Sequence, residues 1–169
     1  MSDRQTIIGF VGFPGSGKDA AATVMCARHS FIRYAFGDMV KGKLLEIDPI
    51  YENDITRLER WKRSGLGETR EKLQNLGESM RRDDSRYWIN RMPEVLGHRS
   101  VFTDIRYKNE MEWVREKGGV ILHIDRPGYG PVNDHQSEKN TGELATLADY
   151  TITNQGTIND LVARILTLA

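Results

Sequence analysis

Eight residues near the N-terminus restrict the possible folds more than any other stretch of the chain. Gly12-Phe13-Pro14-Gly15-Ser16-Gly17-Lys18-Asp19 follows the apolar run Ile7-Ile8-Gly9-Phe10-Val11 and leads into the Ala-rich segment that begins Ala20-Ala21-Ala22. Gly-x4-Gly-Lys between a strand and a helix is the spacing of a phosphate-cradling loop. Its glycines let successive backbone N–H groups turn toward one anion, and the helix N-terminus adds partial positive charge. Within that pattern Gly12, Gly15, Ser16 and Gly17 form the cradle, and Lys18 reaches the β- and γ-phosphates as a mobile point charge. The bland alternative, a glycine-rich turn with a surface lysine, leaves the flanking strand and helix signals as coincidence.

The position after the lysine departs from the pattern. A Ser or Thr hydroxyl is expected there as a Mg²⁺ ligand, and this chain has Asp19. A carboxylate beside a polyphosphate repels it unless a metal or its water shell lies between. Asp19 therefore either holds Mg²⁺ through water or only complements the helix N-terminus.

Strand signals recur at residues 6–11, 31–36, 100–103, 120–124 and 150–153, each a β-branched or apolar run stopped by polar, Gly or Pro residues. Helical patterns alternate with them at 17–29, from a cap at Asp38 to Ile47, at 69–80, 107–117 and 157–168. Such alternation predicts an α/β fold, a five-stranded parallel sheet with helices on both faces. Residues 38–98 are too long for a simple crossover and read as a helical insertion leaning over the C-terminal edge of the sheet. Residues 126–142, with Gly128, Gly130 and Pro131, read as a loop or short lid. The remaining stretches, 1–37 and 99–169, form the core of what reads as one domain.

Charge and composition exclude several classes. Lys+Arg and Asp+Glu are 24 each, which argues against a dedicated nucleic-acid or membrane-surface protein. One cysteine, Cys26, rules out an intrachain disulfide framework and a multi-cysteine zinc site, and it reads as a small buried thiol. No apolar run approaches the roughly 18 residues of a membrane span. With no pattern resembling a signal peptide, a cytoplasmic protein is expected. Trp88, between Tyr87 and Ile89, reads as core of the insertion.

A second constellation lies at Thr103-Asp104-Ile105-Arg106, where a strand ends in a carboxylate. In a sheet with a phosphate loop, an acidic residue ending the neighbouring strand organises Mg²⁺ and its waters. Asp104 suits that place, with Arg106 facing the same cleft and Glu110, one helical turn on, orienting its guanidinium. The competing reading is an Asp–Arg pair that only fixes the turn. Phosphoryl transfer asks for charge neutralisation, alignment and exclusion of water, and no general base when the acceptor is an ionised phosphate. The acceptor side needs cations, for which Lys41, Arg70, Arg81 and Arg126 are available. Arg70 opens an amphipathic helix with Gln74 one turn along the same face. Among the four histidines, only His135 has a position suggesting function.

At this point several blocks, in order, carry a resemblance. They are Ser16-Gly17-Lys18-Asp19, Phe36-Gly37-Asp38-Met39-Val40-Lys41, Arg70-Glu71-Lys72-Leu73-Gln74-Asn75-Leu76-Gly77 and Tyr87-Trp88. Thr103-Asp104-Ile105-Arg106 follows, with Asn109-Glu110-Met111, Ile124-Asp125-Arg126-Pro127-Gly128, Asp134-His135-Gln136-Ser137-Glu138 and Asp149 through Gly156. Across nearly its whole length the chain resembles the deoxynucleoside monophosphate kinases of bacteriophages, which share the aspartate after the lysine. The resemblance implies a P-loop nucleoside-monophosphate-kinase-like fold with an acceptor-binding helical insertion and a short lid. It implies conversion of deoxynucleoside monophosphates to diphosphates with ATP and Mg²⁺, in the host cytoplasm if the chain is phage-encoded. The residues leave monomer and homodimer both open.

Residue by residue, the resemblance implies that the loop, Lys18 and Asp19 hold the ATP phosphates while Asn154 and Gly156 border the adenine. Lys41, Arg70, Gln74, His135 and Glu138 would bind the acceptor, with Asp104, Arg106 and Glu110 along the reacting edge. Arg126 would clamp the transferring phosphoryl group, and Asp104 and Asp19 would serve the metal. The region around residues 48–66 looks shorter than in larger family members. Animal-type phosphomevalonate kinases share the Ser-Gly-Lys-Asp loop and the Asp-x-Arg strand end, and dephospho-coenzyme A kinases share the layout. A regulatory P-loop ATPase is the rival of a different class.

Overall fold

Apolar runs bounded by turn residues become strands buried from both sides, and amphipathic segments between them become the covering helices. The structure, a computed structural model, describes residues 5–132 and 135–169; Asp134, part of one block above, lies outside the described residues. By internal packing the chain divides into two units, Met1–Ala35 with Pro93–Ala169, and Phe36–Met92.

The first unit is built on five parallel strands, β1 (Thr6–Val11), β2 (Ile32–Tyr34), β3 (Arg99–Phe102), β4 (Val120–Asp125) and β5 (Tyr150–Thr153), in the order β2-β3-β1-β4-β5. The central strand β1 is buried from Ile7 to Val11, which explains its near-continuous apolar sequence. The chain leaves β1 toward one edge and, after β3, passes back across β1 toward the other. Strand order therefore reverses beside β1, the place where α/β sheets open a crevice at their C-terminal ends.

Two helices, α1 (Lys18–His29) and α7 (Ile158–Thr167), cover one face. Ala21, Ala22 and Met25 of α1 and Leu161, Val162 and Ile165 of α7 pack with Ile8, Phe10, Val101, Leu122, Ile124 and Ile152 of the strands. Cys26 is half-buried against this cluster. On the other side of the unit, α5 (Lys108–Glu116) sets Trp113 edge-on to Phe102, with ring centroids 5.6 Å apart. Gly9 permits that packing, since a Cβ there would run into Ile105, Ile121 and Val114.

The second unit is helical: α2 (Phe36–Ile47), α3 (Ile55–Ser64) and α4 (Thr69–Asp83), joined by single turns of 3-10 helix. Val40, Leu44, Tyr51, Leu58, Leu76 and Trp88 form its core. The Trp88 indole donates to the Gly77 carbonyl (3.1 Å), so Trp88 is core, as its sequence context suggests. Asp48 and Asp54 accept the N–H groups of Ile50 and Thr56 and so start the turn after α2 and the helix α3.

Two local expectations differ from the structure. The second strand stops at Tyr34 and α2 begins at Phe36, which leaves Asp38 inside the first turn and not at the cap. An apolar run crossing a strand–helix junction has no periodicity of its own, so the boundary is silent. Residues 136–142, read as loop or lid, belong to α6 (Gln136–Leu147). Its weak amphipathicity, an internal Gly142 and a histidine at the cap hide this helix.

Candidate active site

The loop between β1 and α1 is shaped by close approaches. A Cβ on Gly12 would lie 2.5 Å from the Ile124 carbonyl oxygen and 2.8 Å from Ser16 Oγ, so only glycine lets the loop leave β1 against β4. Gly17, at the N-cap of α1, has φ 106°, a left-handed conformation costly for other residues, and brings no capping side chain. The first-turn N–H groups of α1 therefore face the loop without an internal carboxylate or hydroxyl cap, the arrangement that receives phosphate.

Lys18 is the electrostatic centre. It is only 8 % exposed, and its ammonium donates to the carbonyls of Gly12 (2.6 Å) and Phe13 (2.7 Å) and to Ser16 Oγ (3.2 Å). Burial, helped by the nearby Arg106 guanidinium, lowers its pKa from 10.5 to about 8, against the opposing pull of Asp19, Glu138 and Asp104. These five groups therefore share one electrostatic neighbourhood. A polyphosphate seated in the loop offers the ammonium the counter-charge that loop carbonyls supply only as dipoles.

At the end of β3, Arg106 is held by α6. Its guanidinium donates to Glu138 Oε1 (2.6 Å), and its carbonyl accepts from Asn140 Nδ2 (3.1 Å). Burial is the largest influence on Arg106 and disfavours its charge, but the hydrogen bond and charge of Glu138 together with the charges of Asp104 and Glu110 outweigh it and raise the pKa. Glu138 is 3 % exposed. Glu110 is also buried, and its Oε2 accepts the backbone N–H groups of Arg106 (2.9 Å) and Tyr107 (3.2 Å), so this oxygen starts α5. Glu110, expected to orient the guanidinium, acts on it through charge, whereas the hydrogen bond to the guanidinium comes from Glu138; nothing in the local sequence marks Asn140 as a partner.

The strands on the other side of β1 reach the same loop. Asn154, just past β5, donates from Nδ2 to the Ser16 carbonyl (2.9 Å) and braces the loop. Arg126, just past β4, donates to the Gly15 carbonyl (3.1 Å). Gly156 lies against Asp160, whose carboxylate accepts from Thr157 at the start of α7. His135 is the N-cap of α6, accepting from the Ser137 N–H through Nδ1. His123, on β4, is held below its usual pKa by burial and by Lys18, with Asp125 opposing.

In the helical unit the predicted residues occupy two helices. Lys41, on α2, is held by Asp38 and Glu59, each at 2.8 Å. Burial works against its charge, yet these two hydrogen-bonded carboxylates raise its pKa. Arg70 lies exposed in the first turn of α4, without an ion pair among the described residues, and Gln74 follows half-buried on the same helix.

Among the described residues, no group of three or more His, Cys, Asp or Glu side chains is placed to cage a metal. Mg²⁺ rarely needs such a cage, since it keeps several waters and takes one or two carboxylates plus substrate phosphates. Asp104 and the exposed Asp19, both within the field of Lys18, are hard oxygen donors of that kind.

The family model of deoxynucleotide monophosphate kinase matches residues 69–165. A protein of Acanthamoeba polyphaga mimivirus named "Putative deoxynucleotide monophosphate kinase" is 32% identical over 193 residues, covering 95% of this chain and 94% of that protein. The uncharacterized protein ORF76 of Ictalurid herpesvirus 1 (strain Auburn) is 26% identical over 170 residues, covering 93% of this chain and 64% of its own length. Among solved structures, shikimate kinase from Aquifex aeolicus superposes with a TM-score of 0.50 at 13% identity, covering 96% of this chain and 95% of that one. This last likeness is one of fold. It agrees with the P-loop kinase architecture of a parallel sheet flanked by helices. With one relative 32% identical along almost all of it, and a family model spanning more than half of it, the chain belongs to the deoxynucleotide monophosphate kinase family, a family of nucleotide kinases.

Proposed function

We propose that the chain transfers the γ-phosphoryl group of ATP to the phosphate of a deoxynucleoside monophosphate, giving ADP and the deoxynucleoside diphosphate. The observation that carries this reading is the loop with Lys18 at the switch point of the sheet, within the same electrostatic neighbourhood as Asp104 and Arg106. An ionised acceptor oxygen attacks the γ-phosphorus while the bond to the β,γ-bridging oxygen breaks, so no side chain has to remove a proton.

In this reading Gly12, Gly15, Ser16 and Gly17 cradle the ATP phosphates, and Lys18 exchanges loop carbonyls for phosphate oxygens. Arg106, held in place by Glu138, and Arg126 oppose the charge on the transferring group. Asp104 and, through water, Asp19 would hold Mg²⁺, which supplies further charge neutralisation. Asn154 and Gly156 border the adenine, Asn154 by fixing the loop as well.

The stretch 38–98 acts as the acceptor-binding insertion, and the segment from Arg126 to the start of α6 as the lid. Arg70 and Gln74 bind the acceptor nucleotide; Arg70 is the more available cation, because Lys41 must first give up Asp38 and Glu59. His135, Glu138 and Glu110 act from the reacting edge by holding α6, Arg106 and α5 in place.

The test is ADP release in a coupled assay with dAMP, dGMP, dTMP, dCMP, phosphomevalonate and dephospho-coenzyme A offered separately as acceptors. Stimulation by at least one deoxynucleoside monophosphate is expected. Turnover confined to the last two compounds, or an ATPase rate indifferent to every acceptor, would sink the proposal.

A further inference from the structure

Arg126-Pro127-Gly128-Tyr129 forms a tight turn whose chemistry is written in its sequence. The Tyr129 N–H donates to the Arg126 carbonyl (3.1 Å), proline occupies the second position, and Gly128 in the third has φ 85°. These are the marks of a type II turn. The turn brings both of its end residues to the tip of the phosphate loop. Arg126 donates to the Gly15 carbonyl, and the Tyr129 ring packs so closely on Gly15 that a Cβ there would lie 2.5 Å from two ring carbons. The Arg126 guanidinium also lies over the Tyr129 ring, 4.5 Å from its centroid.

A long, exposed arginine has many rotamers, and binding a phosphoryl group in one of them costs conformational entropy. The aromatic face of Tyr129, three residues on, and the Gly15 carbonyl, 111 residues away in sequence, remove many of those alternatives before substrate arrives. We infer that Tyr129 is a positioning residue, which acts through Arg126 to hold its guanidinium at the tip of the phosphate loop. The inference rests on the proposed role of Arg126 in phosphoryl transfer. Tyr129 itself touches the loop and the arginine and is given no contact with substrate.

The experiment is a double-mutant cycle on kcat with Arg126→Ala, Tyr129→Ala and the double variant, extended by Tyr129→Phe and Gly128→Ala. Arg126→Ala should lower kcat on the order of 100-fold. Tyr129→Ala should lower kcat by about five-fold, the scale of a partly exposed cation–π contact, with acceptor KM and thermal midpoint unchanged. Phenylalanine keeps the ring face and should restore kcat. The double variant should be no slower than Arg126→Ala alone. Gly128→Ala, whose Cβ would meet nothing within 4 Å, perturbs only the turn and should slow kcat like Tyr129→Ala.

An additive loss in the double variant would overturn the inference, as would a phenylalanine variant as slow as alanine. So would wild-type kcat in Gly128→Ala, or a Tyr129→Ala loss accompanied by a fallen thermal midpoint. A slow Arg126→Ala beside an unimpaired Tyr129→Ala removes this inference alone. Wild-type kcat in Arg126→Ala removes the phosphoryl-clamp role and this inference together.

Discussion

Replacing Lys18 with methionine separates what the site costs the fold from what it supplies to phosphate. The folded ammonium titrates at about 8, where the unfolded side chain titrates at 10.5. Between those values the unfolded chain binds more protons than the folded one, so this lysine makes stability rise with pH. Integrated from about pH 7 to about pH 9.5, the gain is about 2 kcal/mol, equivalent to roughly 4–8 °C in thermal midpoint for a chain of this size. Lys18→Met lacks this titration, so the midpoint of the ligand-free wild type should climb toward that of the variant across the interval. Near neutral pH the variant should be the more stable protein. Its advantage should fall short of the full desolvation cost, since the Gly12 and Phe13 carbonyls and Ser16 Oγ lose their donor. The same variant should lose phosphoryl transfer, having no charge to place against the polyphosphate. Thermal unfolding of both proteins in matched buffers decides the matter: parallel midpoint-versus-pH curves would refute a strongly desolvated Lys18.

Glu138→Gln removes the charge that faces Arg106 and should destabilise the fold by about 2 kcal/mol, less than a fully buried pair because the Arg106 side chain is 35% exposed; a denaturant midpoint measures it, and no change would mean the pair is solvated. Gly12→Ala would press a methyl against the Ile124 carbonyl, a backbone atom of β4 that cannot swing aside. Calorimetry should show ATP affinity weakened on the order of ten-fold or more, the scale of a few lost or lengthened charge-assisted hydrogen bonds. Arg70→Ala should raise the acceptor KM by about ten-fold with little effect on the ATP KM; an unaltered acceptor KM removes Arg70 from the site.

Features encoded by local spacing were readable in advance, and those made by distant contacts were not. The glycines of the loop, Lys18 and the five strands follow from periodicity and turn chemistry within short windows. Asp104 was visible as a carboxylate ending a strand. Lys41 shows the limit: one of its two carboxylates, Asp38, is three residues away, whereas Glu59 comes from another helix. The partner of Arg106 is 32 residues distant, and the bond from Asn154 to Ser16 spans 138 residues. No helical or strand period links such positions. His135 stands out in the sequence as a histidine in a polar segment, but its place at the start of α6 depends on a helix whose apolar face is too weak to announce itself. The Pro127-Gly128 pair was the one available signal for Tyr129, because it specifies a turn that must present the residues at its two ends side by side.

Transfer to a nucleotide phosphate can be watched by following the label of γ-³²P-ATP. With each deoxynucleoside monophosphate in turn, the label should appear in the corresponding diphosphate, at a rate abolished by Lys18→Met and well above label release to water. Label found only in inorganic phosphate, at one rate with or without every acceptor, would contradict the account.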